Sequence, residues 1–265
     1  MNIRYTIGAI LSFPLLPIMY FQAKKVKNSV PKLPEAEGIE GRSTYSDAAQ
    51  KTIRMLAIGE STIAGVGVTT HQEGFTGTLA NALAEQLHTN IIWKVYARSG
   101  YTAKRVTEKL IPKITETNID LLIVGIGGND AFTLNKPERW KKETRALIIN
   151  LKEKFPNTPI FFCSMPPIKE FPAFTSLIKA TIGSLVEILG EALAEVIKDF
   201  DNVYYEHEII TINSWNKKFG LVYTASDYFS DGVHPSKLAY QSWAKDVADR
   251  IVKEEQLKKA VHGGI

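Results

Sequence analysis

From residue 51 onward, short apolar runs alternate with longer stretches whose apolar positions recur every three to four residues. The runs "IRMLAIG", "IIWKVYA", "DLLIVGIG", "PIFFCSM" and "NVYYE" read as strands. The stretches 73–88, 103–116, 137–154, 174–199 and 236–259 read as helices between and after them. Strands that are apolar at nearly every position must be covered on both faces, which predicts a parallel sheet between two helical layers. In 174–199, Leu177, Ile178, Ile182, Leu185, Val186, Leu189, Leu193, Val196 and Ile197 repeat at helical spacing and mark a core face. The charged stretch 137–154 has one apolar face and reads as an outer helix. Residues 207–234 break the alternation and predict a long, aromatic-rich loop, a length that in a compact domain usually serves function.

The N-terminal pattern differs. Residues 5–21, "YTIGAILSFPLLPIMYF", carry no charge and follow Arg4. As a helix they would reach about 25 Å, against a hydrocarbon core of roughly 30 Å, and Pro14 and Pro17 would bend it. The expectation is a signal anchor or signal peptide over 1–23, with a poor cleavage site because Phe21 stands two residues before Ala23. A segment packed on the protein is the third reading. Lys24, Lys25, Lys27 and Lys32 follow and lean toward a membrane surface, leaving the protein membrane-associated or exported, on a side the charges do not settle. Residues 24–50, with Pro31, Pro34, Gly38 and Gly41 and no apolar period, read as a linker, and 51–265 as one domain.

The net charge of +4 is modest, and without an arginine-rich, aromatic-interleaved face nucleic-acid binding is not expected. One cysteine, Cys163, cannot form an internal disulfide and sits in an apolar run as a small hydrophobe. The five histidines and that cysteine show no metal-ligand spacing.

In open parallel sheets, ligands bind beyond the carboxyl ends of the strands. Three runs end in small or polar residues: "LAIGEST", "YARSGYT" and "IVGIGGNDAF". A fourth polar cluster, "SDGVHPS", precedes the last helix. Together they hold a hydroxyl (Ser61), amides beside glycines, a side-chain amide (Asn129), a carboxylate (Asp231) and an imidazole (His234), the inventory of a serine hydrolase site. Each has a plainer reading: Ser61 as a turn or helix cap, Asn129-Asp130 as a turn, Pro235 as the first residue of a helix. Taken together they are harder to dismiss, because a serine needs a base and the base an orienter. Asp231 and His234, three residues apart in a tight turn, can supply both. The amides of Ser61 and Gly100 and the Asn129 side chain are candidate oxyanion donors. "GIGGND" lacks the GxGxxG spacing, "GESTIAGVG" lacks a P-loop lysine, and Ile63 stands where GxSxG needs its second glycine.

The four blocks "IGES", "RSGYT", "GIGGND" and "DGVHPS", in this order over about residues 54–252, resemble the SGNH hydrolase superfamily, the GDSL esterases and lipases. The resemblance implies a flavodoxin-like three-layer α/β/α sandwich with a five-stranded parallel sheet. It implies Ser61 as nucleophile, Gly100 and Asn129 with Ser61 as oxyanion hole, Asp231 as orienter, His234 as base, and no metal or cofactor. The expected function is a serine esterase acting on a small-molecule, lipid or O-acylated polysaccharide ester. The alternative is a membrane-tethered binding module that kept the fold without turnover. Two departures stand out: Glu60 replaces the usual Asp before the serine, and Val95-Tyr96-Ala97 replaces Asn-Ala-Gly in the second block.

Overall fold

The computed structural model describes residues 2–46 and 51–254. The elements follow the chain as α1 (Ile3–Ser12), α2 (Leu16–Ser29), β1 (Glu40–Ser43), β2 (Thr52–Gly59), α3 (Phe75–Leu87), β3 (Asn90–Ala97), α4 (Ala103–Lys109), β4 (Leu121–Gly125) and α5 (Gly128–Phe132). They continue as α6 (Pro137–Lys154), β5 (Ile160–Phe162), α7 (Ser176–Ile197), β6 (Val203–Tyr204), α8 (Ile212–Phe219), α9 (Ala225–Tyr228) and α10 (Lys237–Lys253).

Strands β2 to β6 form a parallel sheet, in the spatial order β3-β2-β4-β5-β6. Its centre is dry: Leu56, Ala57, Ile58 and Leu121 to Val124 have no solvent exposure. The chain leaves β2 toward β3 and then crosses back to β4. Right-handed crossovers therefore put α3 on one face and α4, α6 and α7 on the other. The packing agrees, with α10 lying on α3 and α6 packing against both α4 and α7. Trp140 of α6 is fully buried and donates its indole N–H to the Leu189 carbonyl of α7 at 2.9 Å.

Among the described residues the sheet has six strands, one more than expected. Within the stretch read as a linker, β1 pairs antiparallel with β3, register Glu40 with Lys94 to Ser43 with Ile91. A four-residue edge strand with the burial of one side chain, Ser43, leaves no apolar period to read. Gly41 is required there, since a Cβ would lie 2.3 Å from the Trp93 ring. Just before it, Ala36 N–H donates to Ala64 O, Glu37 N–H to Thr69 O and His71 N–H to Glu37 O, each at 2.9 Å. The stretch is thus stitched to the residues that follow Ser61.

The 207–234 segment is also more ordered than a loop. Thr211 and Ser214 form a reciprocal capping box for α8, Thr224 and Asp227 one for α9, and Gly220 ends α8 in the left-handed conformation. Two helices of eight and four residues are too short to announce themselves by periodicity. The last helix ends by description at Lys253; its predicted extension to 259 falls partly outside the described residues.

Candidate active site

The strand order reverses between β2 and β4, and there the two strands pair glycine to glycine, Gly59 with Gly125. A Cβ on Gly59 would lie 2.1 Å from the Gly125 carbonyl oxygen, so the close approach requires glycine. The crevice beyond such a reversal is where α/β sheets bind ligands. Ser61 follows β2 and Asn129 follows β4, one on each side of it. Residues 61–67 turn without forming a helix and α3 starts only at Phe75, so Ser61 caps no helix. Its carbonyl accepts the Val66 amide at 3.1 Å.

Glu60 is buried and directed at the opposite strand end. Its Oε1 accepts Gly128 N–H at 2.8 Å and its Oε2 accepts Asn129 N–H at 2.9 Å. One carboxylate thereby ties the end of β2 to the asparagine block, and the extra methylene relative to Asp is absorbed in this bridge. Burial, opposed by these two amides and reinforced by nearby Asp130, pushes the Glu60 carboxyl up to about 7. Asp130 is itself pushed up by burial to about 6 while accepting Ala103 N–H at 2.9 Å and an Asn135 amide hydrogen at 3.0 Å. A carboxyl with a raised folded-state value holds its proton longer folded than unfolded. The stability it contributes is present below about pH 4.5 and is lost as pH rises through 7. At 1.36 kcal/mol per pH unit the loss from Glu60 is about 3 kcal/mol across that window. Urea unfolding of the wild type and Glu60→Gln at either end of the window should show a flatter pH dependence in the variant. Equal slopes would contradict the assignment.

Asn129 Nδ2 donates to the Tyr101 carbonyl at 3.1 Å, which fixes the amide and leaves its second hydrogen for a ligand. Tyr101 belongs to the β3 end, where Gly100 has φ +80 and nothing among the described residues lies within 4 Å of where a Cβ would stand. No acceptor among the described residues takes the Ser61 or Gly100 amide. Glu35, from the stretch read as a linker, braces this turn: its carboxylate accepts Ser99 N–H at 2.7 Å and an Arg98 guanidinium hydrogen at 3.1 Å. The sequence reading missed Glu35, and no spacing signal marks it.

The Asp231 side chain is fully covered and its two oxygens have separate partners. Oδ1 accepts the amides of Val233 at 2.9 Å and His234 at 2.7 Å; Oδ2 lies 2.7 Å from His234 Nδ1. Burial works to raise this carboxyl, but those amides and the imidazole outweigh it and hold it below the ordinary carboxylate range. An ionised Asp231 keeps the Nδ1 proton and leaves Nε2 as the acceptor nitrogen. The turn is held by Ser230 N–H donating to His234 O at 2.9 Å, and Ser236 caps α10, which begins at Lys237 and not at Pro235.

Ser61, Gly100, Asn129 and His234 line one pocket of about 140 Å³, with Phe132 and Phe171 on its wall. Asp231 stands behind His234. The Ser61 hydroxyl and the His234 ring share the pocket without a direct hydrogen bond; such contacts are often loose without substrate and tighten with it. Cys163 is buried away from solvent, where burial pushes its thiol up, as expected of a packing residue.

The GDSL-like lipase/acylhydrolase family model matches residues 57–242, spanning the three polar strand ends and the Asp231–His234 turn. The chain belongs to this family. A GDSL esterase/lipase of Arabidopsis thaliana is 27% identical over 213 residues, 73% of this chain and 83% of that protein. The GDSL esterase/lipase WDL1 of Oryza sativa subsp. japonica is 25% identical over 60% of this chain, an alignment that spans 64% of its own length. The family 3 carbohydrate esterase of Clostridium thermocellum superposes with a TM-score of 0.57 at 17% identity, covering 80% of this chain and all of that one. The α/β fold with a mostly parallel central sheet between helical layers is therefore that of SGNH hydrolases.

Proposed function

We propose that this GDSL family member is a serine esterase in which Ser61 is the nucleophile, His234 the general base and Asp231 its orienter. The observation that supports this most is His234 on the wall of the pocket that also holds Ser61, Gly100 and Asn129, with the covered Asp231 carboxylate 2.7 Å from its Nδ1. His234 Nε2 takes the Ser61 proton as Oγ attacks the ester carbonyl. The oxyanion forms against the amides of Ser61 and Gly100 and the free hydrogen of Asn129 Nδ2. His234 then returns the proton to the leaving alcohol, and water, activated by the same nitrogen, releases the acid from Ser61. Glu60 acts as a positioning residue, since its bridge to the Gly128 and Asn129 amides sets the distance between nucleophile and oxyanion donor.

A second, apolar cavity of about 40 Å³ adjoins the pocket through Thr62 and Phe171 and is walled by Met165, Trp215, Phe229 and Trp243. One water needs about 10 to 15 Å³ on this measure, so the cavity accepts only a short acyl group without rearrangement. Trp215 and Phe229, two aromatics of the 207–234 segment, thus have a place beside the site, while Tyr228 is core with no exposure. Hydrolysis of p-nitrophenyl acetate, butyrate and octanoate by the full chain should favour the two short esters. A preference for octanoate would contradict the acyl-cavity assignment and leave the serine chemistry standing.

A further inference from the structure

The N-terminal helices are docked on the hydrolase domain. α1 and α2 run on through a single tighter turn, Phe13–Leu15, where Pro14 and Pro17 remove the amides that a regular helix would use. At the start Arg4 pairs with Glu191 of α7, and near the end Thr175, the cap of α7, donates its hydroxyl to Gln22 Oε1 at 2.7 Å. Going from residue 4 to 22 therefore runs antiparallel to 191 back to 175, a contact about 24 Å long at 1.5 Å per residue. Met19 is buried in this seam, with Tyr5, Leu15 and Leu16 packed beside it.

The opposite face has no partner among the described residues. Ile3, Ile7, Ile10, Ile18 and Phe21 recur at helical spacing, and each is more than half exposed. Lys24, Lys25 and Lys27 follow at the same end, exposed and without an acidic partner among the described residues. By length and composition Ile3–Ser29 could cross a membrane. In the docked state it cannot, because α7 would enter the hydrocarbon with it, along with the Lys141–Glu195 and Arg145–Asp199 ion pairs on its flank. An apolar stripe on a docked helix with a lysine cluster at its end fits a surface that is apolar inside and anionic outside.

At Gln22 the helix also comes close to the site. Phe174, next to Thr175, packs edge-on against Phe132 at 5.7 Å and against Phe171 at 5.3 Å, and both of these rings wall the Ser61 pocket.

We propose that Ile3–Ser29 lies along an anionic lipid bilayer, stripe inward and lysines on the phosphates, and that the esterase takes its substrate from that surface as a membrane-borne ester. The substrate half rests on the serine esterase reading; the helix half does not.

The test uses full-length protein with nitroxide labels on Ile7→Cys, Ile18→Cys and Met19→Cys, bound to phosphatidylcholine vesicles containing phosphatidylglycerol. Positions 7 and 18 should lie at one shallow depth, about 5 to 10 Å below the headgroups. Position 19 should be shielded from oxygen. A spanning helix would instead separate 7 from 18 by about 16 Å in depth and overturn the proposal. So would labels that are shielded only in a dimer, without vesicles, which would assign the stripe to a second copy of the chain. Lys24→Glu with Lys25→Glu should weaken vesicle binding about five-fold per lysine removed. Ile7→Asp with Ile18→Asp should lose vesicle binding and hydrolysis of a vesicle-borne ester while p-nitrophenyl acetate hydrolysis is kept. Undiminished hydrolysis of the vesicle ester would overturn the substrate half. Absence of p-nitrophenyl acetate hydrolysis in the wild type would strike the esterase reading alone, since label depth is read without turnover.

Discussion

Ser61→Ala is expected to lower hydrolysis of p-nitrophenyl acetate by about 10⁴-fold or more, the size of loss seen when one member of such a triad is removed. The substitution deletes only an oxygen. The Ser61 carbonyl still accepts Val66 N–H, and neither strand end depends on the hydroxyl. Fold and substrate binding should therefore persist, with the loss in kcat and KM little changed. A variant that retained a tenth of the activity would remove Ser61 from the mechanism. The position at the sheet's reversal point would then need another explanation.

The second large effect is expected from Asp231→Asn, about 10⁴-fold in kcat by the same precedent. The amide oxygen can still accept the Val233 and His234 amides, so the turn should survive. What changes is the other half of the group, since the Nδ2 hydrogens now face His234 Nδ1 at the place of an acceptor. The imidazole would then present its N–H at Nε2, toward Ser61, and could not take the serine proton. Raising the pH should not rescue this variant, because the fault is the tautomer and not the charge. Full activity in Asp231→Asn would show that His234 needs no orienter.

The parallel sheet and its helical layers were legible because burial on both faces writes itself as unbroken apolar runs such as "LLIVG". Part of the candidate site was legible for a related reason: Ser61, Gly100 and Asn129 each follow shortly after such a run stops, whereas Asp231 and His234 were legible only from their own spacing before the last helix. The edge strand Glu40–Ser43 was not, since only one of its side chains is buried. Glu35 acts through a backbone amide 64 residues away, a contact that no local pattern records. The role of Glu60 could be guessed as an acceptor from its place before Ser61, but its two partners, Gly128 and Asn129, come from the crossover that brings β4 beside β2. The docked N-terminal helices were the least expected reading of residues 5–21. Charge-free composition carries no sign of Arg4 meeting Glu191 or of Met19 being covered.

The most direct test of the serine chemistry needs no substrate guess. Folded full-length protein is treated with a fluorophosphonate, which phosphonylates an activated serine, and the adduct is mapped by peptide mass spectrometry. One adduct on Ser61, absent from Ser61→Ala and strongly slowed in His234→Ala, is the expected result. A folded protein that takes no label, or takes it elsewhere, would contradict the account and favour a binding module on an SGNH scaffold.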